Sequence, residues 1–317
     1  MSAPVQLTIA GYQGPGSIHT QGLEAFRGAL LSAIGDRVEV SLRSNVGPDG
    51  IKTADLAELT EAGDFDLIYI ASSYLAARVP PLALFDMPFA APDRDRVMAL
   101  VDGPLGARLK EALEEATGLE LLGIWDNGLR HIATAKGPMS DPGDCAGLVL
   151  RTMPNADHQN VFRALGFKPL LIDAKDLTEA VQRGDVDAQE NPLTNTYNFD
   201  LHRALPVITL TGHLMGIALL VINRDRMQAL PLDIQTAIQA AAAEATQAQR
   251  ALARQEDEVC AERLREEGAT LVTLTQEERA AWRAAAAPHV AECRARQDAD
   301  ILALFDADPN AAHAGAA

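Results

Sequence analysis

Cysteine is scarce: Cys145, Cys260 and Cys293 are the three in 317 residues, and none falls in a Cys-x-x-Cys or Cys/His zinc spacing. That excludes a disulfide scaffold and a structural metal centre, leaving buried thiols, with a Cys260–Cys293 pair open only for an exported chain and Cys145 then odd. Positive charge is short too. Lys plus Arg number 27 against 44 Asp plus Glu, and the formal charge of −17 repels nucleic-acid phosphate and anionic lipid alike. Nucleic acid is therefore no expected partner. No uninterrupted apolar stretch approaches the length of a membrane span. Met1-Ser2-Ala3-Pro4 runs straight into an apparent strand, without a basic and apolar export leader. Catalytic signatures are missing as well: there is no Gly-x-Ser-x-Gly elbow, no His-Glu-x-x-His helix and no GxGxxG fingerprint. Gly14-Pro15-Gly16 lacks the Gly-Lys-Ser/Thr ending of a phosphate loop. Neither catalysis nor a cofactor is expected.

What is present suits a packed α/β protein. Hydrophobic residues make up 48% and charged residues 22%, and the length favours two lobes over one core. Strand-like runs at 5–10, 38–44, 65–71 and 119–125 alternate with amphipathic stretches, and a second series follows at 147–152, 167–172, 186–189 and 205–210. This βαβ alternation predicts two lobes of similar build, each a sheet flanked by helices. Asn155 can cap a helix over 156–165 that Gly166 stops, and Gly184 ends another over 176–183. Residues 232–267 contain neither Pro nor Gly, so one helix of roughly 50 Å is expected, long enough to span both lobes. A strand over 270–274 precedes a capping box, Thr275 with Glu278, that opens the last helix, and the tail 306–317 is expected to fray.

Three distant segments each offer a group suited to a carboxylate. Arg130 lies in Asn127-Gly128-Leu129-Arg130-His131, between two expected strands, and Arg151 closes the apolar strand Gly147-Leu148-Val149-Leu150-Arg151. Asn191 stands in Gln189-Glu190-Asn191-Pro192, where the proline holds it extended at a strand end. A guanidinium meets a carboxylate with two parallel hydrogen bonds, and an Asn can accept from it while donating to the ligand. Burying an unpaired guanidinium costs free energy, which makes Arg151 hard to dismiss as surface.

These residues are also where the chain resembles the DctP family of TRAP-transporter solute-binding proteins. Gly128-Leu129-Arg130 is similar to the family's Gly-Phe-Arg, and Gly147 to Arg151 is similar to its Gly-Leu-Lys-hydrophobic-Arg strand. The run Arg183-Gly184-Asp185-Val186-Asp187-Ala188-Gln189-Glu190-Asn191-Pro192 resembles Gln-Gly-x-Val-Asp-Gly-Gln-Glu-Asn-Pro, and Asp86-Met87-Pro88-Phe89, Thr211-Gly212-His213 and Leu230-Pro231 are weaker echoes. The resemblance implies a periplasmic-binding-protein-like fold of two lobes, each a mixed sheet flanked by helices, with a long helix spanning both. It implies residues 1–127 with 212–250 in one lobe and 128–211 with 251–305 in the other. It also implies a ligand carboxylate clamped by Arg151 and Arg130 and braced at Asn191. The implied function is a periplasmic receptor, a monomer, that hands a small organic acid to TRAP membrane subunits. An α/β enzyme acting on an organic acid, or a leaderless intracellular sensor, are the alternatives.

Other candidates are two-sided. His213 is either a lobe-crossing position lining the cleft or a loop histidine, and His19 offers a contact from the first lobe. Ser72, Ser73 and Tyr74 end the third strand and present hydroxyls to the ligand's far end or to a turn, while His131 is read as structural. The acid stays open among a uronate or hydroxy acid, an aromatic acid and a dicarboxylate.

Overall fold

The computed structural model describes residues 3–91 and 93–308. The chain begins with β1 (Val5–Ala10), α1 (Ile18–Ile34), β2 (Val38–Arg43), α2 (Leu56–Ala62) and β3 (Leu67–Ala71). Every residue of β3 is buried, as expected of a strand covered on both faces. Ser17 Oγ caps α1 by accepting from the Thr20 amide at 3.0 Å, and Leu23, Phe26 and Leu30 recur on the buried face. Next come α3 (Arg94–Asp102), α4 (Pro104–Ala116) and β4 (Leu119–Thr134).

The sequence predicts a strand ending at residue 125 and a polar link before the next. The chain instead runs on as one strand of 16 residues. Register shifts between Leu121 and Gly123, Asp126 and Leu129, and Arg130 and Ile132 absorb the glycines that look like breaks. Then follow β5 (Val149–Thr152), α5 (Ala156–Ala164), β6 (Lys168–Leu171), α6 (Ala174–Arg183), β7 (Ala188–Pro192) and α7 (Leu193–Asn198). Asn155 caps α5 as expected, its Oδ1 accepting from the Asp157 and His158 amides at 2.9 and 3.1 Å. The strand expected to stop at 210 is β8 (Val207–Asn223), again continuous, with Thr211, Gly212 and His213 inside it. After it lie α8 (Arg224–Ala229), α9 (Leu232–Glu266), β9 (Thr270–Thr273), α10 (Gln276–Ala295) and α11 (Ala299–Asp306).

The nine strands of the described residues form one sheet in the order β2-β1-β3-β8-β4-β7-β5-β6, with β9 paired to β8. β1 pairs in parallel with β2 and β3, and β5 pairs in parallel with β6 and β7. Between these two parallel sets run the antiparallel β4 and β8, which belong to both halves. The largest apolar cluster packs around the β1–β3 half, and two smaller ones, centred on Phe162 with Trp282 and on Leu177 with Leu264, serve the β5–β7 half.

α9 spans both halves. Ile234, Ile238 and Ala242 pack in the first core, and Cys260 and Leu264 pack in the second half, at helical spacing. At the crossing, Gln249 is buried and clasps one residue of β4: its Oε1 accepts from the Asp126 amide at 2.9 Å and its Nε2 donates to the Asp126 carbonyl at 2.7 Å.

Residues 251–305 were expected in the second lobe, yet Ile301 and Phe305 of α11 join the first core, because α10 carries the chain back across the molecule. A Cys260–Cys293 pair does not form: both thiols are free and buried, Cys260 among the second-half residues and Cys293 in the first core. Asp306, expected in the frayed tail, closes α11 and accepts from Arg294 Nη1 at 3.0 Å, while 309–317 lie outside the described residues. Among the described residues no helix is long and apolar enough to cross a membrane.

Candidate functional site

Parallel strands from both halves deliver their C-terminal ends to one place. Tyr12 and Gln13 follow β1, Ala71 closes β3 with Tyr74 just beyond, Arg151 and Met153 lie at the end of β5, and Asn191 lies at the end of β7. Ligands of open α/β sheets collect at such ends. Asn127 and Arg130 from the middle of β4, Ala174 and Leu177 from α6, Asn195 from α7 and Phe199 complete the wall. Together these residues surround a small cavity between the two halves.

Arg151 is the outstanding charge. Only 2% of it is exposed, and its Nε donates to the Ile172 carbonyl at 2.9 Å, but no carboxylate of the described residues pairs with it. Burial lowers its pKa, the direction expected of an uncompensated cation, and a guanidinium stays charged all the same. Arg130 is held differently. Its Nε and Nη2 form a fork on the buried Glu190 carboxylate, Nη2 lying 2.7 Å from Oε1, and Nη2 also reaches the Asn191 Oδ1 at 3.3 Å. Burial works against ionising Glu190, but the charge of Arg130 outweighs it and holds the carboxyl well below its usual range. The same pairing raises Arg130, again against burial. One positive charge therefore remains.

The other polar lining groups are neutral. Burial pushes the Tyr12 phenol up and the Tyr74 phenol up to about 12, so both are hydroxyls at physiological pH. Asn127 is 5% exposed and its Oδ1 is buried without a hydrogen-bond partner. Asn191 accepts from Arg130, as anticipated, and its Nδ2 donates to Gln189 Oε1 at 2.6 Å.

Hydrogen bonds close the seam between halves. Gln13 Nε2 donates to Asn195 Oδ1 at 3.3 Å, Asp173 accepts from the Thr53 amide at 3.2 Å, and Asn155 Nδ2 donates to Asp86 Oδ2 at 2.8 Å. The cavity is thereby covered from both sides.

Of the sequence candidates, Arg151, Arg130, Asn191 and Tyr74 meet around the cavity. His213, Ser72 and His19 do not line it. His213 is neither a cleft nor a loop residue: it sits buried inside β8, with its Nε2 3.4 Å from Glu190 Oε2 and its Nδ1 2.7 Å from Thr211 Oγ1. Ser72 is buried in a short turn whose carbonyl accepts from the Leu75 amide at 2.9 Å. His19 stands behind the wall, its Nδ1 3.1 Å from Gln13 Oε1 and its ring stacked on Tyr69 at 4.9 Å. His131, read as structural, accepts from the Gly212 amide at 3.0 Å. Gln13, Asn127 and Asn195 were missed, since a lone amide carries no pattern in a sequence. Elsewhere Asp157, His289 and Cys293 cluster in the manner of metal ligands, but Arg296 Nη2 already lies 2.6 Å from Asp157 Oδ1 and 3.1 Å from Cys293 Sγ, taking the cation's place.

A family model described as bacterial extracellular solute-binding protein, family 7 (DctP), matches residues 9–297. An uncharacterised protein of Sinorhizobium fredii is 31% identical over 257 residues, which cover 80% of this chain and 46% of that one, so the chain spans less than half of that relative. The C4-dicarboxylate-binding periplasmic protein DctP of Rhodobacter capsulatus is 31% identical over 72% of this chain and 68% of its own. Among solved structures, a TRAP periplasmic solute-binding protein of Sulfurospirillum deleyianum with bound succinate is similar at a TM-score of 0.91 and 25% identity, covering 96% of this chain and 99% of that one.

Proposed function

This chain belongs to the DctP family of bacterial extracellular solute-binding proteins, and from that premise we propose that it is the receptor of a TRAP-type transporter, closing its two lobes on a small organic acid. The family is one of binding proteins rather than enzymes, whose members take up small carboxylates and work with membrane subunits. The periplasm is the proposed compartment and a monomer the proposed form. The proposed lobes are residues 1–127 with 212–250 and 128–211 with 251–305, with α11 packing onto the first core.

The observation that carries the reading is Arg151: a guanidinium buried at a strand end, lining a cavity, with no carboxylate of its own. Such a charge is uncomfortable until an anion arrives, and the ligand carboxylate supplies one. Arg130, tied to Glu190, fixes the second side of that anion's seat, and Asn191 braces Arg130. None of these groups is a general base at neutral pH, so the arrangement holds an acid without transforming it.

Calorimetry against a panel of organic acids tests this. Arg151→Ala should weaken the best ligand by about 2 to 5 kcal/mol, the range for breaking a desolvated charge pair, and Arg151→Lys should recover only part. An Arg151→Ala affinity within about threefold of the parent, less than 1 kcal/mol, would remove the clamp from the proposal.

A further inference from the structure

Resting on the carboxylate-receptor reading, we infer that the ligand is a hydroxylated monocarboxylate rather than a dicarboxylate, with Asn127 selecting the hydroxyl. Two independent features lead there. The first is charge. Arg151 and Arg130 are the cations in the cavity wall, and Glu190 neutralises Arg130, so a ligand bearing one negative charge balances the site. A second carboxylate would be buried with no cation to meet it. Arg296, in the outer cleft beyond Tyr74, is itself paired with Asp157 at 2.6 Å.

The second feature is the unpartnered acceptor. Asn127 lines the cavity with its Oδ1 buried and unsatisfied, and a buried acceptor needs a donor. A carboxylate has no hydrogen to give. An ammonium would donate, but it would bring a second positive charge into the wall beside Arg151, while Glu190 already serves Arg130. A hydroxyl donates without charge, and the Tyr12 phenol offers further neutral pairing for such a group.

The test is a comparison of acids on the intact protein by calorimetry: butyrate, 2-hydroxybutyrate, 2,3-dihydroxybutyrate, succinate and malate, with galactonate and glucuronate as longer hydroxylated monocarboxylates. At least one hydroxylated monocarboxylate should bind about tenfold or more tighter than butyrate, and tighter than succinate or malate by a similar factor. In Asn127→Leu the preference for the hydroxylated monocarboxylate over butyrate should shrink below about threefold, read on a variant whose urea melt matches the parent's. Succinate or malate matching the hydroxylated monocarboxylates, or butyrate matching them, overturns the inference and leaves the receptor reading standing if that binding is lost in Arg151→Ala. No binding by any organic acid overturns both.

Discussion

His19 is a histidine that the fold keeps neutral. It is 1% exposed, and burial lowers its pKa to about 3. In the unfolded chain it titrates near its ordinary value of about 6.5. Between those values the unfolded chain carries a proton that the native one refuses, so the stability is intact above about pH 6.5 and falls as the pH drops towards 3. Near pH 5 this one residue adds about 1.4 kcal/mol per pH unit to the slope. Asp126, pushed up to about 6 by burial despite Arg94, acts in the opposite sense between about pH 3.8 and 6. His19→Asn, whose amide can keep the bond to Gln13, should flatten the slope of urea-derived stability near pH 5 by about that 1.4 kcal/mol. An identical slope would mean that His19 is charged in the native protein. Residues of this kind were only half legible: Arg151 stood out because a cation closing an apolar strand is conspicuous, whereas His19, Asn127 and Gln13 acquire their roles only from neighbours distant in the chain.

At the scale of elements, the two crossing strands were the part least legible in the sequence. Gly123, Gly128 and Gly212 resemble strand ends, and turn chemistry is what glycine usually signals. Here they mark bulges and bends, which the alternation of side chains cannot reveal because each register shift resets it. Gly128 illustrates the demand. Its φ is +84°, and a Cβ placed on it would lie 2.8 Å from the Pro192 Cβ. Gly128→Ala should therefore cost about 1–3 kcal/mol of stability through backbone strain and collision. Affinity should fall as well, since Asn127 and Arg130 flank the bulge and Asn191 adjoins Pro192. Urea melts and calorimetry on the same preparation check both effects; a variant with parental stability would show that β4 can relax away from β7. The helices, by contrast, were legible to within a residue or two where caps announce them, as at Asn155, Gly184 and Thr275.

At the scale of the molecule, the cavity is sealed by bonds between halves that share only the crossing strands and helices. Gln13 to Asn195 and Asn155 to Asp86 must break for a ligand to enter. Both are single hydrogen bonds, about 0.5–1.5 kcal/mol for the neutral Gln13–Asn195 pair and about 1.5–3 kcal/mol for the pair to the Asp86 carboxylate, so opening is accessible and a bound anion tips the balance to the closed form. Small-angle scattering should show a smaller radius of gyration with saturating ligand than without. Superimposable curves would speak against hinged capture.

The first core reaches from Leu7 to Phe305. In a growing polypeptide that arrangement is a delay. β3 waits for β8, and α1 waits for α9, while the ribosome adds about 5–20 residues each second, so these two elements go without those partners for on the order of ten seconds or more. Neither half can finish early, because each borrows from the chain's last third. During that interval neither core is complete, and an incompletely packed chain is the form in which a polypeptide can be drawn through a narrow pore.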